Sequence, residues 1–136
     1  MSEVLDRPQG IFSARMIAEL ARSGAIASDK RFDTDQIQPA SLDLRLGSRA
    51  LRVRSSFLPG PEKTVADRLA GLTLHEIDLS AGAVLERGCV YIVPLLESLS
   101  LPKAIAAAAN PKSSTGRLDI FTRVITDRAR SFDTVP

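Results

Sequence analysis

Tryptophan is absent from the chain, and cysteine and histidine occur once each, as Cys89 and His75. A single cysteine cannot close an internal disulfide. His75-Glu76 lacks the second histidine of an H-E-x-x-H zinc helix and lies in a β-like stretch, so a zinc site is not expected and His75 reads as a surface residue. No apolar run approaches the length of a membrane span. The N-terminal MSEVLDRPQG carries acids and a proline where an export signal needs a basic run and an apolar core. A cytoplasmic location without membrane contact is the expectation. The net charge of +2 is too small for a general nucleic-acid surface.

What is present is ordinary in bulk: 136 residues, 44% apolar and 25% charged, which is the size and balance of one globular domain over 1–136. The charge is unevenly placed. Between Lys112 and Arg130 five cations (Lys112, Arg117, Arg123, Arg128 and Arg130) stand against two acids, Asp119 and Asp127. That stretch could hold an anion, although a solvated basic face is the commoner outcome of such a run.

Periodicity predicts a helix from Ser13 to Gly24, with Ser13 as N-cap, Gly24 at the C-terminal cap, and Ile17, Leu20 and Ala21 on the inner face. Asp33 to Pro39 reads as a loop. Ser41 to Gly47 alternates polar and apolar residues and predicts a strand with one buried face; a second strand runs from Arg49 to Val53. Pro59-Gly60-Pro61 breaks regular structure, and Thr64 caps a short helix to Ala70 whose Val65, Ala66, Leu69 and Ala70 point inward. From Leu72 to Leu101 the pattern is β-like, with turns at Ser80-Ala81-Gly82 and Glu86-Arg87-Gly88. The apolar run Cys89 to Leu96 is placed at a sheet edge or bulge by Pro94. Strands are expected again at Ala104–Ala109 and at Asp119–Thr126, the latter with Ile120, Phe121, Val124 and Ile125 as its apolar members. Many short strands and few helices point to a mainly β barrel or sandwich.

The segment richest in chemistry is Asn110-Pro-Lys-Ser-Ser-Thr-Gly-Arg117. Ser113 and Ser114 offer hydroxyls, a turn through them would expose backbone N–H groups, Gly116 permits close approach, and Lys112 and Arg117 add positive charge; together these suit a phosphate. The spacing is not that of a Walker A loop. On composition alone, a plain surface turn is the competing reading.

Pro111-Lys-Ser-Ser-Thr-Gly-Arg-Leu118 resembles the R-S-S-x-A-R-L-G signature of deoxycytidine triphosphate (dCTP) deaminases, themselves related to the deoxyuridine triphosphatases. Two further segments are similar to the same family in the same order. Gln38-Pro-Ala-Ser-Leu-Asp-Leu-Arg-Leu-Gly47 matches its P-[AS]-S-[VL]-D-[LV]-R-L-G strand, and Leu95-Leu-Glu-Ser-Leu-Ser-Leu-Pro102 its L-E-S-[VL]-x-L-P segment. The resemblance covers nearly the whole chain and is greatest to the N-terminal part of a long, two-halved form.

The resemblance implies a distorted β barrel of the deoxyuridine triphosphatase-like type with short helices, assembling as a homotrimer with sites between subunits. It implies deamination of dCTP to dUTP and ammonia in pyrimidine deoxynucleotide metabolism, with Mg2+ carried on the triphosphate rather than in a protein cage. Lys112, Ser113 and Ser114 would contact the triphosphate, and Arg117 would sit beside the reacting base and its water. Val124 to Asp127, with Thr126, would line the pyrimidine pocket through backbone groups, and Asp133 would lie near the deoxyribose. Lysine at position 112 replaces the usual arginine, keeping the charge and losing the bidentate fork. Asp43 and Arg45 read as a structural or subunit-contact pair. Zinc-dependent base deaminases need H-x-E and P-C-x-x-C, neither of which is here; the family resembled uses a glutamate as general base and acid instead. That glutamate follows a glycine-rich turn expected about where this sequence stops, which makes the chain read as a truncated domain, with Glu86 and Glu97 the nearest upstream glutamates that could replace it. Two other functions stay open: a nucleotide pyrophosphatase of the same fold, from whose A-G-x-D-L motif Ala40-Ser-Leu-Asp43 departs, and a non-catalytic nucleotide-binding or assembly module.

Overall fold

The structure is a computed structural model that describes residues 10–135. The expectation drawn from the acidic, proline-bearing N-terminus therefore falls almost wholly outside the described residues. These are mainly β with a few short helices, in two compact units. One comprises the chain up to Arg45 together with Leu95–Ser100; the other comprises Leu46–Pro94 and Leu101–Pro136. Among the described residues no helix is long and apolar enough to cross a membrane.

The first unit opens on helix α1 (Ala14–Ser23). Ser13 is extended at the N-cap and its carbonyl accepts the Ile17 N–H, while Gly24 adopts φ 84°, a left-handed conformation that costs a glycine nothing. Ile17 is buried and Leu20 and Ala21 are half-buried; of Arg15, Glu19 and Arg22, which the same periodicity turns to water, the two arginines are exposed and Glu19 is half-buried. Strand β1 (Ile26–Ser28) then pairs antiparallel with β5 (Glu97–Leu99), Ile26 opposite Leu99 and Ser28 opposite Glu97. The strand expected at 41–47 is not formed: an isolated bridge joins Ile37 and Leu42, and burial does not alternate. The reason lies in its donors. The Asp43 N–H to the Gln36 carbonyl and the Gln38 N–H to the Ser41 carbonyl close only that single bridge, and the Arg45 N–H goes to the Glu97 carboxylate, so the pairing does not continue.

In the second unit, β2 (Arg49–Val53) is the centre of an antiparallel sheet ordered β3-β2-β4, flanked by β3 (Thr73–Asp78) and β4 (Val90–Ile92). Ala50, Leu51 and Val53 are buried, so both faces of β2 are covered. The register shifts between Arg52 and Val53. β4 is an edge strand, and Pro94 lies beyond its end, its carbonyl accepting the Gly47 N–H at 2.7 Å. Helix α2 (Val65–Leu72) begins with the expected cap: the Thr64 hydroxyl accepts from the Asp67 N–H and the Asp67 carboxylate from the Thr64 N–H. Its inner face is narrower than predicted. Val65 and Leu69 are half-buried, but Ala66 and Ala70 are exposed.

Further along, Ala104–Ala109 contributes only β6 (Ala107–Ala108), paired with β7 (Thr134–Val135). The turn expected through Ser113 and Ser114 is instead a short helix, α3 (Ser113–Arg117). Asp119–Thr126 is not a strand. Asp119 takes φ 60°, Ile120 donates back to the Thr115 carbonyl, and Ile120 and Phe121, expected inside, are exposed. In all, the strands make three small sheets, and no closed barrel is present among the described residues.

Candidate functional site

The residues proposed from sequence all lie in the second unit, in two neighbouring stretches of chain. Lys112 is the extended N-cap of α3; its carbonyl accepts from the Thr115 and Gly116 N–H groups and the Thr115 hydroxyl, which closes the five-residue helix. Ser113, Ser114 and Arg117 are exposed. Basic side chains at both ends of this element and two hydroxyls at its start give an accessible, donor-rich segment.

The second stretch surrounds a cavity of about 400 Å³. Its walls are the β6–β7 sheet, through Ala106, Ala107, Thr134 and Val135, and the loop from Thr126 to Ser131. Of the residues predicted from sequence, Thr126 is in this wall; Lys112, Ser113, Ser114 and Arg117 are not. The Thr126 hydroxyl is buried and has no hydrogen-bond partner. A buried hydroxyl without a partner is costly, and such groups in native folds call for a ligand or water. Arg128 and Arg130 stand in the same wall. Neither was singled out as a site residue; the signal that could have found them was the basic run ending at Arg130.

The loop is held from two sides. On one, the Gly60 N–H donates to the Ala129 carbonyl, the Arg128 N–H to the Lys63 carbonyl, and the Val65 N–H to an Asp127 carboxylate oxygen. Ala129 is buried here, and the neighbouring Pro59 is fully enclosed. On the other, Asp133 brackets Val124: its Oδ1 accepts the Val124 N–H at 2.9 Å, and its own N–H donates to the Val124 carbonyl at 3.0 Å. Oδ2 takes the Arg123 guanidinium, which lies over the Phe121 and Phe132 rings. The Val124 N–H draws the Asp133 carboxyl below its ordinary value; burial opposes this and Arg123 adds to it. Asp133 is thus an ionised anchor for the segment leading to Thr126.

The remaining chemistry-bearing residues are committed elsewhere. Arg45 pairs with Glu97 at 2.7 Å, so the carboxylate it takes comes from β5. Glu86 pairs with Arg52 at 2.9 Å and receives the Cys89 thiol. His75 is exposed on β3, and among the described residues no three His, Cys, Asp or Glu side chains gather as metal ligands.

Comparison with known proteins places this geometry. The family model of the N-terminal domain of 2'-deoxycytidine 5'-triphosphate deaminase matches residues 8–136. A dUMP-forming dCTP deaminase of Corynebacterium glutamicum is 36% identical over 93 residues, which is 67% of this chain and 48% of that protein. A dCTP deaminase of Haemophilus influenzae is 31% identical over 112 residues, 77% of this chain and 57% of that protein. The chain therefore spans about half the length of these relatives. The crystal structure of 2'-deoxycytidine 5'-triphosphate deaminase from Agrobacterium tumefaciens superposes with a TM-score of 0.92 at 60% identity, covering 96% of this chain and 38% of that one. On this sequence and structural evidence, the chain belongs to the dCTP deaminase family and corresponds to its N-terminal domain.

Proposed function

We propose that the chain is the nucleotide-binding part of a cytoplasmic enzyme that hydrolyses dCTP to dUTP and ammonia. The observation that carries this reading is the 60% identity to the A. tumefaciens deaminase across nearly the whole chain. In the reaction, water adds to C4 of the cytosine ring, a proton reaches the exocyclic amine, and ammonia leaves as the C4 carbonyl forms. Lys112, Ser113 and Ser114 hold the triphosphate with its Mg2+, and Arg117 sits beside the base and the attacking water. Lys112 supplies a point charge where an arginine would supply a fork. Thr126 lies beside the pyrimidine, its hydroxyl buried without a partner in the protein. Asp133 faces the deoxyribose with the lone pairs that Val124 and Arg123 leave unused.

The same reading includes a homotrimer in which the barrel is closed and each site completed between subunits. Support comes from the small open sheets, whose unpaired edges call for partners. A second reading, a module that binds nucleotide without turning it over, is favoured by the engagement of Glu97 by Arg45 and Gln36 and of Glu86 by Arg52, which leaves neither carboxylate poised as a base. One experiment tests both. Ammonia release from dCTP by the purified 136-residue chain is measured beside calorimetric dCTP binding, with the nucleotide product resolved as dUTP or dUMP. Turnover to dUTP rejects the module and turnover to dUMP also corrects the product. Binding without turnover supports the nucleotide-binding role that both readings share, and neither signal rejects both.

A further inference from the structure

We propose that Asp127 is a positioning residue for the cavity wall, a role that rests on the nucleotide reading of that cavity. Asp127 stands between Thr126 and Arg128, both in the wall, and is itself absent from it. Its carboxylate instead accepts the Val65 N–H, 62 residues away in sequence, at 2.7 Å. Val65 is the first residue of α2, where backbone N–H groups have no partner within the helix and the helix dipole favours a negative charge.

The bond has a consequence for the next residue. Arg128 adopts φ 58°, a left-handed conformation unusual for a side chain other than glycine and one that persists only where the surroundings hold it. What holds it is the pairing of this loop with the segment before α2. The Arg128 N–H donates to Lys63 at 2.9 Å, the Gly60 N–H donates to Ala129 at 3.0 Å, and the Asp127 side chain clasps Val65. Of these three contacts only the last is made by a side chain, and so only it can be removed by substitution without rebuilding the backbone. Releasing it lets Arg128 relax towards ordinary φ, which shifts Arg128 and Thr126 from the positions they share in the wall. Asp127 therefore acts on a ligand it does not touch.

The test uses the full chain and four proteins: wild type, Asp127→Ala, Asp127→Asn and, as a control for α2 stability, Thr64→Ala, which removes the hydroxyl that caps the same helix end through the Asp67 N–H. Two readouts are taken, hydrogen exchange of the Arg128 amide without ligand and calorimetric affinity for dCTP. Asp127→Ala is expected to speed exchange and to weaken dCTP each by about tenfold. Asp127→Asn keeps an acceptor oxygen for the Val65 N–H and restores both. Thr64→Ala lowers the melting temperature and moves neither. Unchanged Arg128 exchange in Asp127→Ala, equal effects of Thr64→Ala, or faster exchange with wild-type affinity would each overturn the proposal. If the wild type itself binds no dCTP, the nucleotide reading fails, and the exchange of Arg128 alone decides whether Asp127 sets the wall.

Discussion

Arg45 addresses one carboxylate twice: its backbone N–H donates to Glu97 Oε2 at 2.9 Å and its guanidinium Nε to Glu97 Oε1 at 2.7 Å. The Glu97 side chain is entirely buried, and the Gln36 amide also donates to Oε1. A buried ion pair adds little over an apolar pair of the same shape, but removing one partner strands the other. Glu97→Ala is expected to lose about 3–5 kcal/mol in urea unfolding, and Glu97→Gln less, because the amide oxygen still accepts from Arg45.

The same carboxylate makes stability depend on pH. Burial by itself would raise the Glu97 pKa, but the Arg45 N–H, the Arg45 guanidinium and Gln36 together hold it below the ordinary 4.5. A folded value below the unfolded one means that the pair's contribution is complete above the ordinary carboxylate range and is lost as pH falls through the lower folded value. Asp133, Asp67 and Asp78 are shifted in the same direction. The melting temperature should hold level above about pH 5 and fall below it. A Glu97→Gln chain should show a shallower fall.

Gly47 leaves no room for a side chain. A Cβ there would stand 2.6 Å from the Pro94 carbonyl oxygen, a backbone atom that already accepts the Gly47 N–H. Gly47→Ala is expected to cost about 1–3 kcal/mol in thermal unfolding, since one of the two strands of chain must give way.

Thr126→Val removes a buried hydroxyl and keeps the shape. The hydroxyl has no partner within the protein, so the free chain should be unchanged or slightly more stable. Affinity for dCTP should fall by about 1–2 kcal/mol in calorimetry. Loss of stability in place of affinity would assign Thr126 to the scaffold.

Arg117→Ala and Ser113→Ala remove exposed groups on α3 and should leave the unfolding free energy within about 0.5 kcal/mol of wild type. Each is expected to weaken dCTP binding, by about 1–3 kcal/mol for the charged contact of Arg117 and less for the serine. Unchanged affinity in both would detach the phosphate role from this helix.

Elements whose signal is local were legible in advance. Ser13 and Gly24 bound α1, Thr64 with Asp67 starts α2, and glycines at 82 and 88 take the left-handed conformation their turns demand. The motifs that carry the family, at 38–47, 95–102 and 111–118, were likewise readable, because residue types in order survive without coordinates.

The two misread strands share one cause. Alternation at 41–47 and β-prone residues at 119–126 state a preference, but a strand exists only if a neighbour accepts its N–H groups. At Arg45, Ile120 and Val124 those groups go to Glu97, Thr115 and Asp133 instead. By itself, then, the sequence determined family, a mainly β class, and the bounds of α1 and start of α2, each of which depends on residues close together in the chain. Tertiary structure alone decided that Glu97 is an anchor, that Thr126 meets a cavity without a partner, and that Asp127 reaches Val65. Those facts depend on which distant backbone groups meet, and nothing in one-dimensional spacing specifies that.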